Sequence, residues 1–364
     1  MTEAMQDKVL LLVGTYTQGQ NAGIYVLQMD SDSGALTQLN KAESGQNPSF
    51  LAIAPSRRNL YAVSEVAEYA GRAGGAVCAF VLDIESANLT RLNQQPTNGA
   101  SPCHLIVDKT GKFVLVANYG GGSVAVLPIL QDGRLGPPSD FIQHKGSSVD
   151  AKRQSGPHAH SITPDLANRF VLAADLGLDR VLVYRLDPQQ GKLLESEQLS
   201  VDVKAGAGPR HIDFHPDGDY AYLINELDST IVAYAYEQTR GELTELQTVS
   251  TLPEGYSGVS HCADIHVHPS GRFVYGSNRG HDSIAIFRVA PGSGTLDWVG
   301  CEATLGKTPR NFAVDATGQF LLAANQDSDS IVVFRIDGET GALTAAGQSV
   351  SLPAPVCIKF LSSA

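Results

Sequence analysis

The sequence predicts an all-β protein, a seven-bladed β-propeller, from a long internal repeat and from the way in which the two ends of the chain complete it. Each repeat opens with a proline, or in one unit with a cysteine at the same place. These opening positions are Pro48, Pro102, Pro157, Pro209, Cys262, Pro309 and Pro355. They lie 46 to 55 residues apart, and 364 residues shared among seven units give 52 residues each. A period of about 50 residues is typical of β-propellers, whose blades have four short strands.

The two termini each hold part of one unit. Residues 354–361 begin a unit that is not finished, and residues 8–15 continue a unit that was not begun. We therefore expect an inner strand from the C-terminus to join the N-terminal strands and close the ring. The length alone would suggest two domains. A closed ring has no internal boundary, so we predict a single domain over residues 1–364.

Within a unit the elements follow a fixed order, which is clearest in residues 208–244. An inner strand after Pro209 leads to a turn at residues 216–218, and a second strand follows. A third strand covers residues 231–234, and a turn at Gly241 precedes the outer strand. The strand segments are rich in β-branched and aromatic residues, and the turns contain the Pro, Asp and Gly that such turns favour. No stretch has sustained helical periodicity, so little helix is expected.

Composition excludes several classes of partner. The net charge of −12 argues against general affinity for nucleic acids or anionic membranes. Five cysteines form an odd set without a C-x-x-C pair, which favours free thiols in a reducing compartment. The apolar run at residues 9–13 is too short for a membrane span. We expect a soluble cytoplasmic protein and, because only the outermost strands of a ring are edges, a monomer.

The hairpin between the first two strands of each unit predicts which side chains meet. A register centred on residue 218 places Arg210 opposite Glu226. The same construction in other units gives these pairs: Ala263 with Arg279, Arg310 with Gln326, and His158 with Ala174. Directly opposed Cβ atoms lie about 5 Å apart. We therefore expect the starts of the inner strands and the ends of the second strands to share one mouth of the channel.

That mouth concentrates cationic side chains in an acidic protein. The inner strands contribute His104, His158, His160, Arg210, His211, Asp264, Arg310 and Asn311. The ends of the second strands add Glu65, Tyr119, Glu226, Arg279 and Gln326. Guanidinium groups with few carboxylate partners are costly to hold together without an anion, and they suit carboxylate or phosphate. The sequence therefore predicts an anionic small molecule as the ligand.

Other interpretations stay open from the residues alone. Arg210 and Glu226 could form a structural ion pair, and His158 and His160 could be buried polar groups. A metal site of His104, His211 and Asp264 would join different blades at no recognised ligand spacing, so we expect no metal and no other cofactor. The excursion at residues 141–155 is either a surface loop or a lip over the channel mouth, because it leads directly to Pro157 and His158.

Several motifs together resemble the seven-bladed propeller lactonase family, which includes the propeller-type bacterial 6-phosphogluconolactonases and the fungal carboxymuconate-lactonising enzyme. The motifs are Val13-Gly14-Thr15-Tyr16-Thr17, Gly23-Ile24-Tyr25, Gly208-Pro209-Arg210-His211 with Asn225-Glu226-Leu227, residues 264–272 with Asn278-Arg279, and Thr308-Pro309-Arg310-Asn311-Phe312. The resemblance covers essentially the whole chain. It implies a channel site without metal in which a histidine, two arginines and a glutamate are catalytic. The matching positions are His158, Arg210, Glu226 and Arg279, with His160 as an alternative to His158.

The resemblance favours metal-independent hydrolysis of a sugar-acid lactone, with 6-phosphoglucono-1,5-lactone as the first candidate. His158 would act as general base on water, and Arg210 or Arg279 would stabilise the oxyanion. Glu226 would hold Arg210 or move a proton. Arg310, His211, His104, His160, Asp264, Asn311 and Gln326 would bind substrate. No serine nucleophile is needed, and no G-x-S-x-G motif is present.

The alternatives are a lactonase for unphosphorylated aldonic or aldaric lactones, a muconate-type cycloisomerase, and a non-catalytic binding propeller. The sequence does not decide whether Arg310 or the pair Lys152 and Arg153 would meet a phosphate.

Overall fold

The predicted ring of seven blades is confirmed. The structure, a computed structural model, describes residues 8–17 and 23–361; the remaining residues of the predicted domain lie outside the described part. Seven four-stranded antiparallel sheets contain nearly all of the strands. The inner strands of neighbouring blades contact one another all round the ring, including the last with the first.

Each blade has its strands in the order of the chain, from the channel outward, except the blade that closes the ring. Blade 1 consists of Leu51–Ile53, Asn59–Ser64, Ala76–Asp83 and Asn88–Pro96. Blade 2 consists of Pro102–Val107, Phe113–Asn118, Ser123–Pro128 and Asp140–Gln143. Blade 3 consists of Ala159–Pro164, Phe170–Asp175, Arg180–Asp187 and Lys192–Asp202. Blade 4 consists of Pro209–Phe214, Tyr220–Asn225, Thr230–Glu237 and Glu242–Ser250. Blade 5 consists of His261–Val267, Phe273–Arg279, Ser283–Val289 and Leu296–Ala303. Blade 6 consists of Pro309–Val314, Phe320–Asn325, Ser330–Ile336 and Leu343–Ser351.

Blade 7 joins the two ends of the chain, as the split repeat predicts. Its inner strand is Pro355–Phe360, and its other strands are Lys8–Thr15, Gly23–Asp30 and Leu36–Glu43. The inner strand pairs antiparallel with Lys8–Thr15, so that Val13 lies opposite Ile358.

The remaining regular elements of the described residues are short. A two-stranded hairpin, Glu68–Tyr69 with Arg72–Ala73, follows the second strand of blade 1, and a 3-10 turn covers Gln326–Ser328. In the described part of the chain no helix is both long and apolar enough to cross a membrane. All five cysteines are free, and four of them are buried.

The core lies between the blades, where each sheet packs on the next. The turn before an outer strand places a glycine against an aromatic ring of the preceding blade. These pairs are Gly191 with Phe113, Gly241 with Phe170, Gly294 with Tyr220, Gly341 with Phe273 and Gly34 with Phe320. Each of these glycines has positive φ, and a Cβ there would lie within 2.7 Å of the ring. The recurring turn glycine therefore serves both backbone conformation and close packing between blades.

The predicted hairpin register is wrong by two residues near the mouth. Phe214 pairs with Ala221, so the turn is centred between residues 217 and 218 rather than on Gly218. A β-bulge then adds one residue to the inner strand between Pro209 and His211. Equivalent bulges lie between Pro102 and His104, Ala159 and Ser161, Cys262 and Ile265, and Pro309 and Asn311.

The observed register replaces each predicted pair. Asn225 lies opposite Pro209, and Glu226 follows the end of its strand. The observed partners in the other blades are Arg279 with His261, Ala174 with Ser161, and Asn325 with Pro309. The Gln326 N–H bonds to the Thr308 carbonyl. In blade 3 it is His160, and not His158, that occupies the bulge position held by Arg210 in blade 4. The prolines of the repeat are therefore not all equivalent, because Pro157 precedes its strand by two residues.

Candidate active site

The bulged position of the inner strands directs side chains into one end of the channel. It holds Cys103, His160, Arg210 and Arg310 in blades 2, 3, 4 and 6. A bulge leaves its extra residue out of the ladder and re-aims the side chain. The ring therefore presents a set of side chains at one level of the channel, although successive members are 50 to 100 residues apart in sequence.

Glu226 is the centre of the cluster. Its Oε2 accepts from Arg210 Nε at 2.9 Å and lies 3.0 Å from Arg279 Nη2. Its Oε1 accepts from Arg153 Nη2 at 2.6 Å. Burial disfavours the charge of this carboxylate, but Arg279, Arg210 and Arg153 outweigh burial and hold the pKa of Glu226 well below its usual range. Glu226 is therefore a permanent anion that binds three guanidinium groups.

Arg210 is fixed from its other side. It is 2% exposed, and its Nη1 donates to the Ala263 carbonyl and to His211 Nε2, the latter at 3.3 Å. Burial and the nearby Arg310 lower its pKa from the usual value. The backbone of blade 5 thus contributes to holding this guanidinium in place.

His211 is held as a neutral acceptor for Arg210. Its Nδ1 lies 2.7 Å from Asp264 Oδ1, so Nδ1 donates and Nε2 keeps its lone pair. Burial and Arg210 lower the pKa of His211 to about 4, although Asp264 opposes them. Asp264 Oδ2 accepts from Asn311 Nδ2 and from His266 Nε2, the latter at 3.1 Å. Arg210 is therefore held in place by His211, which is itself held by Asp264 and, through it, by Asn311.

A second pair of charges lies on the opposite side of the mouth. The Arg310 guanidinium carbon is 5.3 Å from the centroid of the Tyr16 ring. The Tyr16 hydroxyl donates to Glu65 Oε2 at 3.0 Å, and the Ser49 hydroxyl donates to the same oxygen. Arg310 makes no hydrogen bond to any of the described residues.

His158 lies at the entrance, and one of its ring nitrogens makes no hydrogen bond to the described residues. Its Nδ1 is 2.9 Å from the Tyr119 carbonyl oxygen, and its ring stacks on the Tyr119 ring at 4.6 Å. A carbonyl can only accept, so Nδ1 carries a proton and Nε2 of the neutral ring has a free lone pair. The backbone N–H of His158 also donates to Asp175 Oδ1 at 2.7 Å. The ring is thus oriented from two sides and has the form required of a base.

His160 and His104 lie deeper and are both buried. His160 Nδ1 is 3.6 Å from Cys103 Sγ, and its Nε2 is 3.8 Å from Glu226 Oε2. His104 packs on Phe50 at 4.3 Å. Burial, followed by neighbouring positive groups, lowers the pKa of both histidines well below the usual value. A histidine with so low a pKa is a weak base.

The long excursion reaches the mouth and therefore forms its lip. Asp150 Oδ1 accepts from the N–H groups of Lys152 and Arg153 at 2.8 and 3.1 Å. Gln154 is buried, and its side chain donates to the Leu176 carbonyl at 2.9 Å. These contacts fix the backbone on both sides of Arg153, whose Nη2 also donates to the Tyr119 hydroxyl at 3.2 Å.

The structure brings together most of the site residues expected from the sequence. His158, His160, His104, Arg210, His211, Glu226, Asp264, Arg279, Arg310 and Asn311 belong to one connected group. Gln326 is not joined to it, because its side chain donates to exposed Asp327. Tyr16 and Arg153 were missed by the register argument. Tyr16 follows Lys8–Thr15, the second strand of blade 7, at the position that Glu226 has in blade 4, so the repeat could have identified it. Arg153 lies in a loop outside the repeat.

The cluster carries an excess of positive charge. Arg153, Arg210, Arg279 and Arg310 lie among three carboxylates of the described residues, Glu226, Glu65 and Asp264. Arg279 Nε is buried without a hydrogen-bond partner among the described residues. Within that same part of the chain, no group of three His, Cys, Asp or Glu side chains is arranged to hold a metal ion. The arrangement can bind an anion, stabilise a developing oxyanion and accept a proton at His158.

Comparisons with known proteins agree over nearly the full length. A family model described as "Lactonase, 7-bladed beta-propeller" matches residues 10–360. A 6-phosphogluconolactonase of Bacillus subtilis is 42% identical over 97% of this chain and 99% of its own. A 6-phosphogluconolactonase of Formosa agariphila is 36% identical over 84% of this chain and 86% of its own.

Solved structures give the same result. A Bacteroides fragilis protein, described as a candidate 6-phosphogluconolactonase, superposes with a TM-score of 0.93 at 38% identity and covers all of both chains. A periplasmic gluconolactonase of Pseudomonas aeruginosa gives a TM-score of 0.90 at 35% identity, over 98% of this chain and 99% of its own.

Proposed function

The chain belongs to the seven-bladed β-propeller lactonase family, and we propose that the lactone it hydrolyses is 6-phosphoglucono-1,5-lactone, which it converts to 6-phosphogluconate at the channel mouth. The observation that supports this most directly is the Glu226 carboxylate with its three guanidinium groups, together with His158, whose Nε2 has no partner in the described part of the chain. The names of the relatives support the phosphorylated substrate.

We assign the first step to His158. Its Nε2 would take a proton from a water molecule, and the water oxygen would add to the lactone carbonyl carbon. The carbonyl then becomes a tetrahedral oxyanion. The Tyr119 carbonyl, which fixes the protonated Nδ1, would stabilise the imidazolium that forms.

We assign the oxyanion to Arg279. Its side chain is 16% exposed, and its Nη2 is fixed by Glu226 and by the Cys262 carbonyl at 2.9 Å. A fixed donor aimed at developing charge is often worth several kcal/mol of barrier, about 3 for one donor. Burial lowers the pKa of Arg279 to about 10, so the group remains a cation at neutral pH.

The second step would open the ring. The oxyanion collapses, the bond between the carbonyl carbon and the ring oxygen breaks, and the leaving alkoxide takes the proton from the His158 imidazolium. Glu226 would not exchange protons in this scheme, because its pKa is held far too low. Its role would be to position the arginines, and Arg310 would bind substrate oxygens inside the channel.

The test is the rate of hydrolysis of 6-phosphoglucono-1,5-lactone above its spontaneous background, with the product identified by NMR. We expect enzyme-dependent formation of 6-phosphogluconate. A rate equal to background would refute the proposed substrate. Glucono-1,5-lactone and an open-chain muconate, assayed alongside, would then separate a gluconolactonase from a cycloisomerase. The cytoplasmic location and the monomeric state expected from the sequence remain predictions.

A further inference from the structure

One guanidinium of the cluster differs from the rest in position and in bonding. The Arg153 side chain is 36% exposed, whereas those of Arg279 and Arg210 are 16% and 2% exposed. Its Nη2 makes both of its contacts, to Glu226 Oε1 and to the Tyr119 hydroxyl. Its Nε–H and both Nη1–H groups have no partner among the described residues. Arg153 therefore presents free donors at the entrance while one nitrogen is anchored.

The loop holds Arg153 in this position before any ligand arrives. Asp150 caps the backbone N–H groups on its N-terminal side, and buried Gln154 anchors the next residue. An anion would therefore meet a guanidinium whose backbone is already ordered, which reduces the entropy lost on binding.

The charge of the mouth favours a phosphate monoester. Four guanidinium groups lie among three carboxylates, Glu226, Glu65 and Asp264, so positive charge is in excess. His104, His160 and His211 add no charge at neutral pH. A phosphate monoester carries a charge of about −2 near pH 7. A sugar lactone without phosphate would leave this excess uncompensated.

We propose that Arg153 is the phosphate-recognition residue of this site, with its free Nε–H and Nη1–H groups donating to phosphate oxygens while Nη2 stays on Glu226. This inference rests on the proposed function, because it assumes that a phosphorylated lactone enters at this mouth. Bidentate contact with phosphate is the geometry to which a guanidinium is suited.

Position separates Arg153 from Arg310 as the phosphate ligand. Arg310 lies against the Tyr16 ring, in a narrow cavity that it shares with Glu65 and Arg210. A phosphate dianion is strongly hydrated, so its transfer past a carboxylate into that cavity would be costly. At the entrance the phosphate would keep part of its water, and the uncharged lactone ring would lie against His158 and Arg279.

The test compares three variants. Arg153→Met keeps the aliphatic part of the side chain but removes the donors. Arg153→Lys keeps the positive charge but lacks the planar guanidinium that can make a bidentate contact. Lys152→Met is the matched control, because it removes one positive charge from the same loop at an exposed side chain without contact to Glu226. Each is assayed with 6-phosphoglucono-1,5-lactone and with glucono-1,5-lactone, after subtraction of spontaneous hydrolysis. Calorimetry then measures binding of 6-phosphogluconate and of gluconate.

We expect Arg153→Met to lower kcat/KM for the phosphorylated lactone by about 10- to 100-fold, as for loss of charge-assisted hydrogen bonds. Most of the loss should be in KM, with partial recovery in Arg153→Lys. The rate on glucono-1,5-lactone should change little. Lys152→Met should behave as wild type.

Two results would overturn the inference. Equal losses on both lactones would show that Arg153 only holds Glu226, and an equal loss in Lys152→Met would show a general effect of charge. If wild type hydrolysed neither lactone, the proposed function would fail, and the binding measurement would decide on Arg153 separately. The inference then stands if 6-phosphogluconate binds more tightly than gluconate and Arg153→Met removes the difference. It falls if the two bind alike.

Discussion

At the scale of single residues, the Glu226 carboxylate joins three arginines from distant parts of the chain: Arg153 from the lip, Arg210 from blade 4 and Arg279 from blade 5. Each guanidinium alone would be costly to bury, and together they would repel. The carboxylate offsets that repulsion but leaves donors unused, so the mouth is stable when empty and still attracts an anion.

The substitution Glu226→Gln tests whether this carboxylate offsets the repulsion among the three arginines. The native pKa of Glu226 lies below the value of about 4.3 for an unfolded chain, so the carboxylate stabilises the fold above that pH and loses its contribution as the pH falls. We expect Glu226→Gln to lower the free energy of unfolding at pH 7 by about 3 kcal/mol, as for a broken buried ion pair. The measurement is denaturant unfolding at pH 7 and pH 3. The difference from wild type should shrink at pH 3, and a constant difference would contradict the assignment.

At the scale of elements, the turn before each outer strand locks one blade onto the next. Gly294 has φ +68°, and a Cβ there would lie 2.1 Å from the Tyr220 ring. Its carbonyl also accepts from the Tyr222 hydroxyl at 3.0 Å. Gly292, in the same turn, has φ +77°, but a Cβ there would meet nothing within 4 Å. Substitution of the two glycines therefore separates the cost of backbone strain from the cost of a packing clash.

We predict that Gly292→Ala lowers the free energy of unfolding by about 1 kcal/mol, the cost of positive φ for alanine. Gly294→Ala should cost about 1–3 kcal/mol more, because its methyl group collides with Tyr220. Urea unfolding of both variants measures the difference. Equal losses would mean that Tyr220 moves aside freely and that the turn does not lock the blades.

The strands that carry the site also show which of its features the sequence could predict. The repeat located the strands and turns, and the side chains of Arg210 and Glu226 meet as expected, at 2.9 Å. Their backbone register could not be predicted, because a bulge depends on contacts between strands and leaves no signal in the periodicity. His160 takes the position assigned to His158 because Pro157 precedes its strand by two residues, whereas Pro209 begins its strand. The sequence named Arg153 as a candidate for contact with a phosphate, but its contact with Glu226 could not be predicted because its loop does not repeat.

At the scale of the whole molecule, the ring is closed by one antiparallel pair of strands. Pro355–Phe360 is the inner strand of blade 7, and the Ile358 N–H also donates to Asn311 Oδ1 at 2.7 Å. Because Asn311 in turn bonds to Asp264, closure of the ring supports the residues beneath Arg210. The split repeat predicted the closure itself, but not its connection to the site.

Removal of residues 355–364 should therefore abolish both cooperative unfolding and the site. The truncation exposes the edge of Lys8–Thr15 and removes buried Val356, Cys357 and Ile358. Thermal unfolding by circular dichroism should show a broad transition at much lower temperature. A chain shortened only by residues 362–364 keeps the strand and serves as the control. A sharp transition in the longer truncation would show that the ring does not depend on this closure.

The most direct test of the central claim compares wild type, His158→Ala and His160→Ala on 6-phosphoglucono-1,5-lactone in one assay. If His158 is the base, its loss should reduce turnover by at least about 100-fold, as for removal of a general base. His160→Ala should retain more activity than His158→Ala, because its buried ring is a weak base. Both variants should unfold as cooperatively as wild type. Full activity in His158→Ala with loss of activity in His160→Ala would contradict the account and would assign the general base to His160, two residues further along the chain.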